Sequence, residues 1–323
     1  MAANLHGEYE PPTSARIKDS QNEDAALRLL VAQRRIYSKA KRWLALRWFG
    51  MLVIGLGAPV LSVIWPKLAV ASGAIAGLWI FVGQSILIGA QSRTVSKAAA
   101  VQEQYDFHVF GMPGSVSRST LPTMEEIAEI AGPDPEILRT AAKEEMLDWY
   151  PVDVNNPGFL AVAICQRANA AYSDRLLAST ATVWTTVTAA WMVTLVAVSV
   201  AAKLSLATFL AGVLLPVLPA FLDVARYVAG IRRAARDRAD LTRSIEARMR
   251  SVSEPIDGQD LLVWQESMYE LRRSTPLVPD AIYRLRRAVN ERAMKTAASQ
   301  LGQQSAGHDA LSDRNSTDGA SQP

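Results

Sequence analysis

FGMLVIGLGAPVLSVIWPKLAVASGAIAGLWIFVGQSILIGA, residues 49–90, contains two apolar segments separated only by Pro66 and Lys67. Residues 183–222 repeat this arrangement, with Lys203 as their only charged residue. The four apolar segments are residues 49–65, 68–90, 183–202 and 204–222. Each is close to the length of about 20 apolar residues that a helix needs to cross a bilayer. The sequence therefore predicts an all-α integral membrane protein, with four transmembrane helices arranged as two hairpins and with cytoplasmic helical extensions.

The composition of the whole chain resembles that of a soluble protein, because long charged flanks dilute the apolar hairpins. Hydrophobic residues make up 50% of the 323 residues, and the formal net charge is +3. So small a positive charge does not indicate a nucleic-acid partner. The single cysteine, Cys165, excludes an intramolecular disulfide and a zinc site built from several cysteines.

Basic residues lie on one side of the apolar hairpins. The hairpin turns contain only Lys67 and Lys203, whereas the flanks contain Arg34, Arg35, Lys39, Lys41, Arg42, Arg47, Arg93, Lys97, Arg167, Arg175, Arg226, Arg232, Arg233, Arg236 and Arg238. Flanking Lys and Arg residues stay on the cytoplasmic side of a membrane. We therefore expect both termini and residues 91–182 to face the cytoplasm, which leaves almost no chain outside.

The flanks of the hairpins divide into helical and unstructured segments. Leu27, Leu30, Ile36 and Leu44 recur at helical spacing and predict a helix that runs directly into the first span, and residues 159–182 predict a helix that leads into the third. Thr123, followed three residues later by Glu126, has the pattern of a capping box and predicts the start of a helix there. The predicted organisation is a disordered tail at 1–22, a cytoplasmic helix at 23–48, a transmembrane hairpin at 49–90, a cytoplasmic helical region at 91–182, a second transmembrane hairpin at 183–222, a cytoplasmic helical region at 223–298 and a disordered tail at 299–323.

Polar residues cluster close to the predicted spans. Gln102 and Asp106 lie four residues apart on one helix face, with Glu103 beside them. Two carboxylates suit a cation site or an acid/base pair, although a solvated or inter-helix contact is the commoner role. Cys165 and Asn169 share a face of another helix and are placed to hydrogen-bond with the Gln102 face, although a lone cysteine is more often a small packing residue.

The common catalytic and nucleotide-binding motifs are absent from the sequence. It contains no HExxH, paired CxxC, P-loop or GxGxxG pattern. His108 is the one histidine outside the predicted tails, and Asp106, two residues away, points to a different helix face. The sequence therefore predicts a protein that is not an enzyme and that has no metal or cofactor.

Small and hydroxylated residues mark the second and third spans. Gly73 and Gly77 form a GxxxG pair, which favours close helix packing. Hydroxyl groups in the third span are candidates for lining a pore, although in membrane helices such groups more often bond their own backbone carbonyls. These candidates are Thr185, Thr188, Thr194 and Ser199. The lack of charge inside the spans argues against an ion-coupled carrier.

An ordered set of motifs surrounds the two hairpins. Its members are Gln21, Asn22, Ala32, Gln33, Arg34, Tyr37, Ala40, Lys41, Gln102, Glu103, Asp106, Leu147, Trp149, Tyr150, Pro151, Cys165, Gln166, Arg167, Asn169, Gln265, Tyr269, Arg272, Pro276, Leu277, Val278, Pro279, Tyr283 and Arg286. Over residues 20–295 this order resembles the SMODS-associating four-transmembrane (S-4TM) effectors, although Phe107 and His108 depart from the pattern.

The resemblance implies a pore-forming effector of bacterial immunity in the inner membrane, acting beside nucleotidyltransferases that make cyclic-nucleotide messengers. Its expected partners are the lipid bilayer, further copies of the chain, and such a messenger or nucleotidyltransferase. The expected regulatory cluster is Gln102, Glu103, Asp106, Trp149, Tyr150, Cys165, Gln166, Arg167 and Asn169. Two alternatives stay open: a membrane-surface enzyme or ligand-binding protein that uses this cluster, and a non-catalytic membrane scaffold.

Overall fold

All regular secondary structure is helical over the residues that the computed structural model describes, which are 8–114, 118–251 and 255–319. The α-helices are α1 (Ser14–Ser20), α2 (Asp24–Ile64), α3 (Ala69–Val82), α4 (Ile88–Phe110), α5 (Met124–Ala131), α6 (Asp134–Lys143), α7 (Gly158–Ala201), α8 (Leu206–Thr208), α9 (Leu215–Met249), α10 (Gly258–Ser274) and α11 (Asp280–Gly319). A 3₁₀ turn, Pro66–Leu68, separates α2 from α3. The π-helical segments Gly83–Leu87 and Phe209–Leu214 join α3 to α4 and α8 to α9.

Four long helical rods dominate the molecule, and each combines an apolar segment with a polar one. Three helices among the described residues are long and apolar enough to cross a membrane: Val70–Phe110, Gly158–Ala201 and Leu206–Met249. The fourth rod, α2, carries the polar residues 24–48 and the apolar residues 49–64 in one uninterrupted helix. The predictions that helices lead directly into the first and third spans are confirmed.

The polar parts of the rods and the shorter helices form what we call the polar half, which comprises residues 8–46, 91–114, 118–182, 225–251 and 255–319. Here α2 packs along α4, α7 packs along α9, and α10 lies against α4 and α7. Leu27, Leu30 and Val31 of α2 are essentially fully buried in its main core. Burying each such side chain contributes about 1.5–3 kcal/mol to the stability of this half.

The N-terminal tail prediction is wrong for the part of the segment that the structure describes. Residues Ser14–Ser20 form α1, capped by Thr13, and Ile17 is completely buried. The Tyr9 hydroxyl donates to the carbonyl of Phe110 at 2.7 Å, which ties this segment to the end of α4. Its polar composition concealed the few residues that anchor it, and residues 1–7 of the predicted tail lie outside the described residues.

The predicted C-terminal tail also differs from the structure. The last helix, α11, continues from Asp280 to Gly319 and so passes the predicted end at residue 298. No proline interrupts this stretch, and its alanine, glutamine and leucine residues favour the helical backbone. Residues 320–323 lie outside the described part of the chain.

Two short amphipathic helices cover the outer face of α2. Thr123 caps α5 by accepting a hydrogen bond from the Glu126 backbone N–H at 3.2 Å, which confirms the predicted N-terminus there. Gly132 follows α5 at a φ of 88°, a conformation that favours glycine. The Arg35 guanidinium donates hydrogen bonds to the backbone carbonyls of Ile130 and Ala131 at the end of α5. These contacts fix α5 to α2.

Candidate functional site

A buried carboxylate, Asp106 of α4, lies at the centre of the polar half and is completely inaccessible to solvent. Its Oδ1 accepts a hydrogen bond from the Tyr150 hydroxyl at 2.5 Å. Its Oδ2 accepts from the Gln265 amide at 2.8 Å and from the Arg272 guanidinium at 2.5 Å. Such a buried ion pair is tolerated because further hydrogen bonds compensate for the water that the carboxylate has lost.

These partners come from separate parts of the chain. Gln265 and Arg272 lie seven residues apart on one face of α10, and both point at Asp106. Tyr150 lies in the loop between α6 and α7, where its backbone N–H donates to the Gln21 side chain at 2.8 Å. The carboxylate therefore connects the N-terminal segment, α4, this loop and α10.

Helix α7 extends the same network. The Asn169 amide donates to the Tyr150 hydroxyl at 3.4 Å, and the Gln166 amide donates to the Leu261 carbonyl at 3.0 Å and to Gln265 at 3.3 Å. We call Asp106, Tyr150, Gln166, Asn169, Gln265 and Arg272 the polar core. The Asn169 face is therefore linked to the face of Gln102 and Asp106 through Tyr150, whereas the sequence predicted direct hydrogen bonds between the two faces.

Burial and charge set the protonation of the polar core. Burial, followed by the nearby charge of Asp106, raises the pKa of Tyr150 well above its usual range, so its hydroxyl keeps the proton that it donates. Burial alone lowers the pKa of Arg272, but the attraction of Asp106 outweighs it and leaves the pKa above its ordinary value. The core is therefore a fixed ion pair with one neutral phenol as a donor.

Glu103, one turn before Asp106, has a separate partner. Arg118 binds both of its carboxylate oxygens at 2.8 Å and also contacts Glu266. The same guanidinium lies over the Tyr269 ring, 3.8 Å from its centroid. Because each of the two carboxylates is neutralised by its own arginine, the two do not share a site.

The remaining predicted cluster members lie near the polar core but outside its hydrogen bonds. Arg167 pairs with Glu246 of α9 at 2.6 Å, and Trp149 packs against the main core. Cys165 is completely buried among apolar side chains, and burial raises the pKa of its thiol far above the usual range. It is placed as a packing residue rather than a nucleophile.

A cavity of about 930 Å³ opens beside the polar core. Its wall is formed by parts of α2, α7, α9, α10, α11 and the loop that holds Tyr150. Tyr37, Gln102, Asn169, Arg238 and Arg272 contribute to the wall, and the Tyr37 hydroxyl contacts the Gln102 side chain at 3.4 Å. A volume of this size accommodates a small organic ligand.

A second buried ion pair lies where the apolar segments begin, and we call it the junction pair. Arg47 donates to Asp223 at 3.0 Å, and Gln84 donates to the other oxygen of the same carboxylate at 2.6 Å. Both charged side chains are almost fully buried. Beside them Trp48 stacks on Trp184 with ring centroids 4.5 Å apart, so contacts here join all four rods.

The predicted pore-lining hydroxyls are satisfied within their own helix. Thr185, Thr188, Thr194 and Ser199 each donate to the carbonyl four residues earlier, at 2.7–2.9 Å. Thr185 also accepts from Arg232 at 3.0 Å. In this single chain the hydroxyls therefore do not need water, and pore lining stays a prediction.

The predicted GxxxG pair does not make close contacts within this chain. A Cβ atom added at Gly73 or Gly77 meets nothing within 4 Å, and their role in helix packing stays a prediction. The tight approach occurs instead at Gly50, where an added Cβ falls 2.0 Å from the Trp79 ring.

The site residues predicted from the sequence did not include Gln265 and Arg272 of the polar core, nor Gln21, which accepts a hydrogen bond from Tyr150. Gln265 and Arg272 appeared only among the motif residues, although their seven-residue spacing on one helix face is a signal that would have paired them with a buried group. Gln21 lay in a segment predicted to be disordered. The distance along the chain from Asp106 concealed all three.

The long apolar helices and the buried polar core define a multi-pass membrane protein with an ordered polar half. The sequence profile described as the SMODS-associating 4TM effector domain matches residues 15–301, so the chain belongs to that family. Family membership supports a membrane effector associated with SMODS signalling systems. No curated protein and no solved structure matches the chain.

Proposed function

We propose that the protein is a pore-forming effector of the bacterial inner membrane, which permeabilises that membrane when a nucleotide-signalling system triggers it. The four apolar segments form two transmembrane hairpins, and both termini and the 91–182 region lie in the cytoplasm beside the basic flanks. Membership of a SMODS-associating effector family supports the link to nucleotide signalling, through a cyclic-nucleotide messenger or the nucleotidyltransferase itself. The protein acts by conformational change rather than by catalysis.

The continuity of the four rods is the observation that carries this proposal. Tyr37 of α2, Asp106 of α4, Asn169 of α7 and Arg238 of α9 all lie in or beside the polar core and its cavity. Each of these helices continues into one of the four apolar segments, directly or through a π-helical segment. Because packed helices move as rigid bodies, a rearrangement around the cavity displaces the spans.

The junction pair holds the resting arrangement together. Arg47 precedes the first apolar segment, Gln84 belongs to the second, and Asp223 follows the fourth. Separating them leaves an uncompensated buried charge, which costs several kcal/mol, about 3–5. The closed state is therefore stabilised at the point where a cytoplasmic movement reaches the membrane.

The conducting form is an oligomer. Four apolar helices with internally bonded hydroxyls do not stabilise a water-filled channel, so several copies must assemble around it. Only 6% of the apolar window in Gly158–Ala201 is buried within the chain, against 28% in Leu206–Met249. Of the three helices that are long and apolar enough to cross a membrane, the third span thus has the largest share of its surface left for a neighbouring copy. Thr185, Thr188 and Thr194 line the pore there, together with Ser199, which is buried in the single chain.

Membrane potential is the readout that tests this function. Full-length protein is expressed in bacteria with and without its neighbouring nucleotidyltransferase, and a potential-sensitive dye reports depolarisation. We expect depolarisation only when both are present and the messenger is made. Thr194→Val is expected to reduce it, because the substitution removes a hydroxyl from the lumen while keeping the shape of the side chain.

Thr182→Val is the matched control, because Thr182 also donates to the carbonyl four residues earlier but lies before the third span. Its depolarisation is expected to equal that of the unsubstituted protein. Inserted protein that never depolarises the membrane contradicts the proposal and favours the scaffold alternative. An active form that remains monomeric on chemical cross-linking contradicts the oligomeric pore.

A further inference from the structure

One arginine in the cavity wall is buried without a counter-ion. Arg238 of α9 is only 6% exposed, and no carboxylate pairs with it among the described residues. Its guanidinium donates instead to neutral groups: Thr275 at 2.6 Å and the carbonyls of Leu271 and Ala234 at 3.0 and 3.3 Å. Buried charges in proteins are normally paired, so this one requires an explanation.

The environment of Arg238 disfavours its positive charge. Burial lowers its pKa to about 10, and the like charge of Arg272 acts in the same direction, whereas Tyr37 and the more distant carboxylates Asp237 and Asp174 oppose the shift without cancelling it. Arg272 is paired only through Nη1, while its buried Nε and Nη2 atoms have no partner among the described residues. The guanidiniums of Arg238 and Arg272 therefore both line the cavity, and a carboxylate, that of Asp106, is bonded only to Arg272.

The carboxylates of the wall do not supply the missing charge. Glu145 and Glu291 pair with Arg287, and Asp280 pairs with Lys41. Asp148, the fourth carboxylate of the wall, is exposed and accepts a hydrogen bond from the Asn22 amide at 3.0 Å. Toward the exterior, Arg284 and Lys295 of α11 add two exposed cations that form no ion pair in the described part of the chain. The cavity thus has excess positive charge both at its buried end and at its rim.

Aromatic rings accompany these cations. Tyr37, Trp149, Tyr172 and Tyr283 contribute to the same wall. Guanidiniums bind phosphate oxygens through paired N–H donors, and flat aromatic side chains stack on nucleobases. A cavity of about 930 Å³ is far larger than a phosphate ion requires.

We propose that this cavity binds a nucleotide, with its phosphate on Arg238 and Arg272 and its base among the tyrosines of the wall. The proposal deepens the proposed function and rests on it for its biological role, since the bound nucleotide is then the trigger that moves the rods. Arg284 and Lys295 attract the anion and hold its outer part.

Calorimetric titration of purified full-length protein in detergent tests this site separately from permeabilisation. The probes are adenosine monophosphate, cyclic di-adenosine monophosphate, inorganic phosphate and micelles containing phosphatidylglycerol. We expect at least one nucleotide to bind about tenfold or more tightly than phosphate, because only it uses the aromatic wall. Equal binding of phosphate, binding of the lipid alone, or no binding at all overturns the proposal.

Arg238→Gln is expected to weaken nucleotide binding about tenfold or more, because it removes a buried charge that the phosphate neutralises. The matched control is Arg243→Gln on the same helix, whose exposed side chain pairs with Asp240, and its affinity is expected to be unchanged. The thermal midpoint of unliganded Arg238→Gln protein is expected to be unchanged or higher, since an unpaired buried charge is lost. Lower stability with unchanged affinity overturns the proposal.

A variant with substitutions at the rim of the cavity provides a second test of nucleotide binding in case Arg238→Gln does not fold. Arg284→Gln combined with Lys295→Gln alters exposed side chains only, and we expect severalfold weaker nucleotide binding that depends less on salt. Unchanged affinity overturns the proposal. If nucleotide binds but the membrane does not depolarise, the pore-forming function is contradicted and the nucleotide site is supported. If the membrane depolarises but no nucleotide binds, only the nucleotide site is contradicted.

Discussion

The two buried carboxylates of this protein, Asp106 and Asp223, are built alike but connect different things. Each accepts from one arginine and one glutamine: Asp106 from Arg272 and Gln265, Asp223 from Arg47 and Gln84. Asp106 has a third donor, the Tyr150 hydroxyl, whereas two donors are recorded for Asp223. The carboxylate inside the polar half therefore has three hydrogen-bond donors, whereas the carboxylate at the border with the apolar segments has two.

The two carboxylates also differ in what they connect: Asp106 lies at the centre of the polar half, and Asp223 lies where the polar half meets the apolar segments. Asp106 connects segments that are far apart in the chain but all belong to the polar half. Asp223 connects residues at the ends of three apolar segments. Under the proposed function, the more lightly bonded pair therefore lies where relative movement of the rods reaches the membrane, and the following predictions test this distinction.

Asp106→Asn is expected to have the largest effect on stability. It keeps the size of the side chain but leaves Arg272 charged, buried and unpaired, which lowers the free energy of unfolding by about 3–5 kcal/mol. Denaturant unfolding of the detergent-solubilised protein measures the loss. Glu266→Gln is the control, because its half-exposed pair with Arg118 contributes about 1 kcal/mol or less, and equal effects of the two changes would contradict a central role for Asp106.

Asp223→Asn is expected to cost less stability but to change membrane behaviour more. Arg47 is left buried without its charge partner, which is expected to cost about 3 kcal/mol, the lower end of the range for breaking a buried ion pair, because Asp223 has two recorded donors rather than three. The freed rods are expected to permeabilise the membrane without a trigger. Dye-reported depolarisation in cells lacking the nucleotidyltransferase measures this.

Combining Asp223→Asn with Arg47→Gln tests whether the pair itself is responsible. The double variant removes both charges, so no buried charge is left unpaired and part of the lost stability is expected to return. If the stability losses of the two single variants simply add, Arg47 and Asp223 act independently, and the junction pair does not hold the rods together.

Tyr150→Phe is expected to have the smallest effect. It removes the third donor of Asp106 and leaves the carboxylate with Arg272 and Gln265, as Asp223 has Arg47 and Gln84. A loss of about 1–2 kcal/mol in unfolding free energy is expected, because one hydrogen bond to a charged group disappears. A loss as large as that of Asp106→Asn would show that Tyr150, rather than the ion pair, organises the polar core.

The sequence predicted the features that depend on local composition. The helical spacing of Leu27 and Leu30 revealed the polar part of α2, and the Thr123 capping pattern located the start of α5. It failed at residues 14–20, because a short polar helix anchored by one buried isoleucine has no periodic signal long enough to detect. Cys165 lies in the buried core, as its packing alternative expected, while its place in the regulatory cluster stays a prediction.

The candidate site was predicted only in part. Spacing placed Gln102 and Asp106 on one face and Asn169 near them, and these residues do lie around one polar core and its cavity. Glu103 and Arg167, although adjacent in sequence to these residues, point to Arg118 and Glu246 instead. Helical spacing gives the face of a residue but not the element that packs against that face.

The sequence by itself determined the helical class, the apolar segments and the family, because these depend on the identity and order of nearby residues. Only the tertiary structure decided that Asp106 meets Arg272, 166 residues away, and that Asp223 meets Arg47, 176 residues away. It alone showed that Arg238 is buried without a carboxylate partner among the described residues. Such pairings depend on how rigid rods pack, and packing is decided by the whole chain at once.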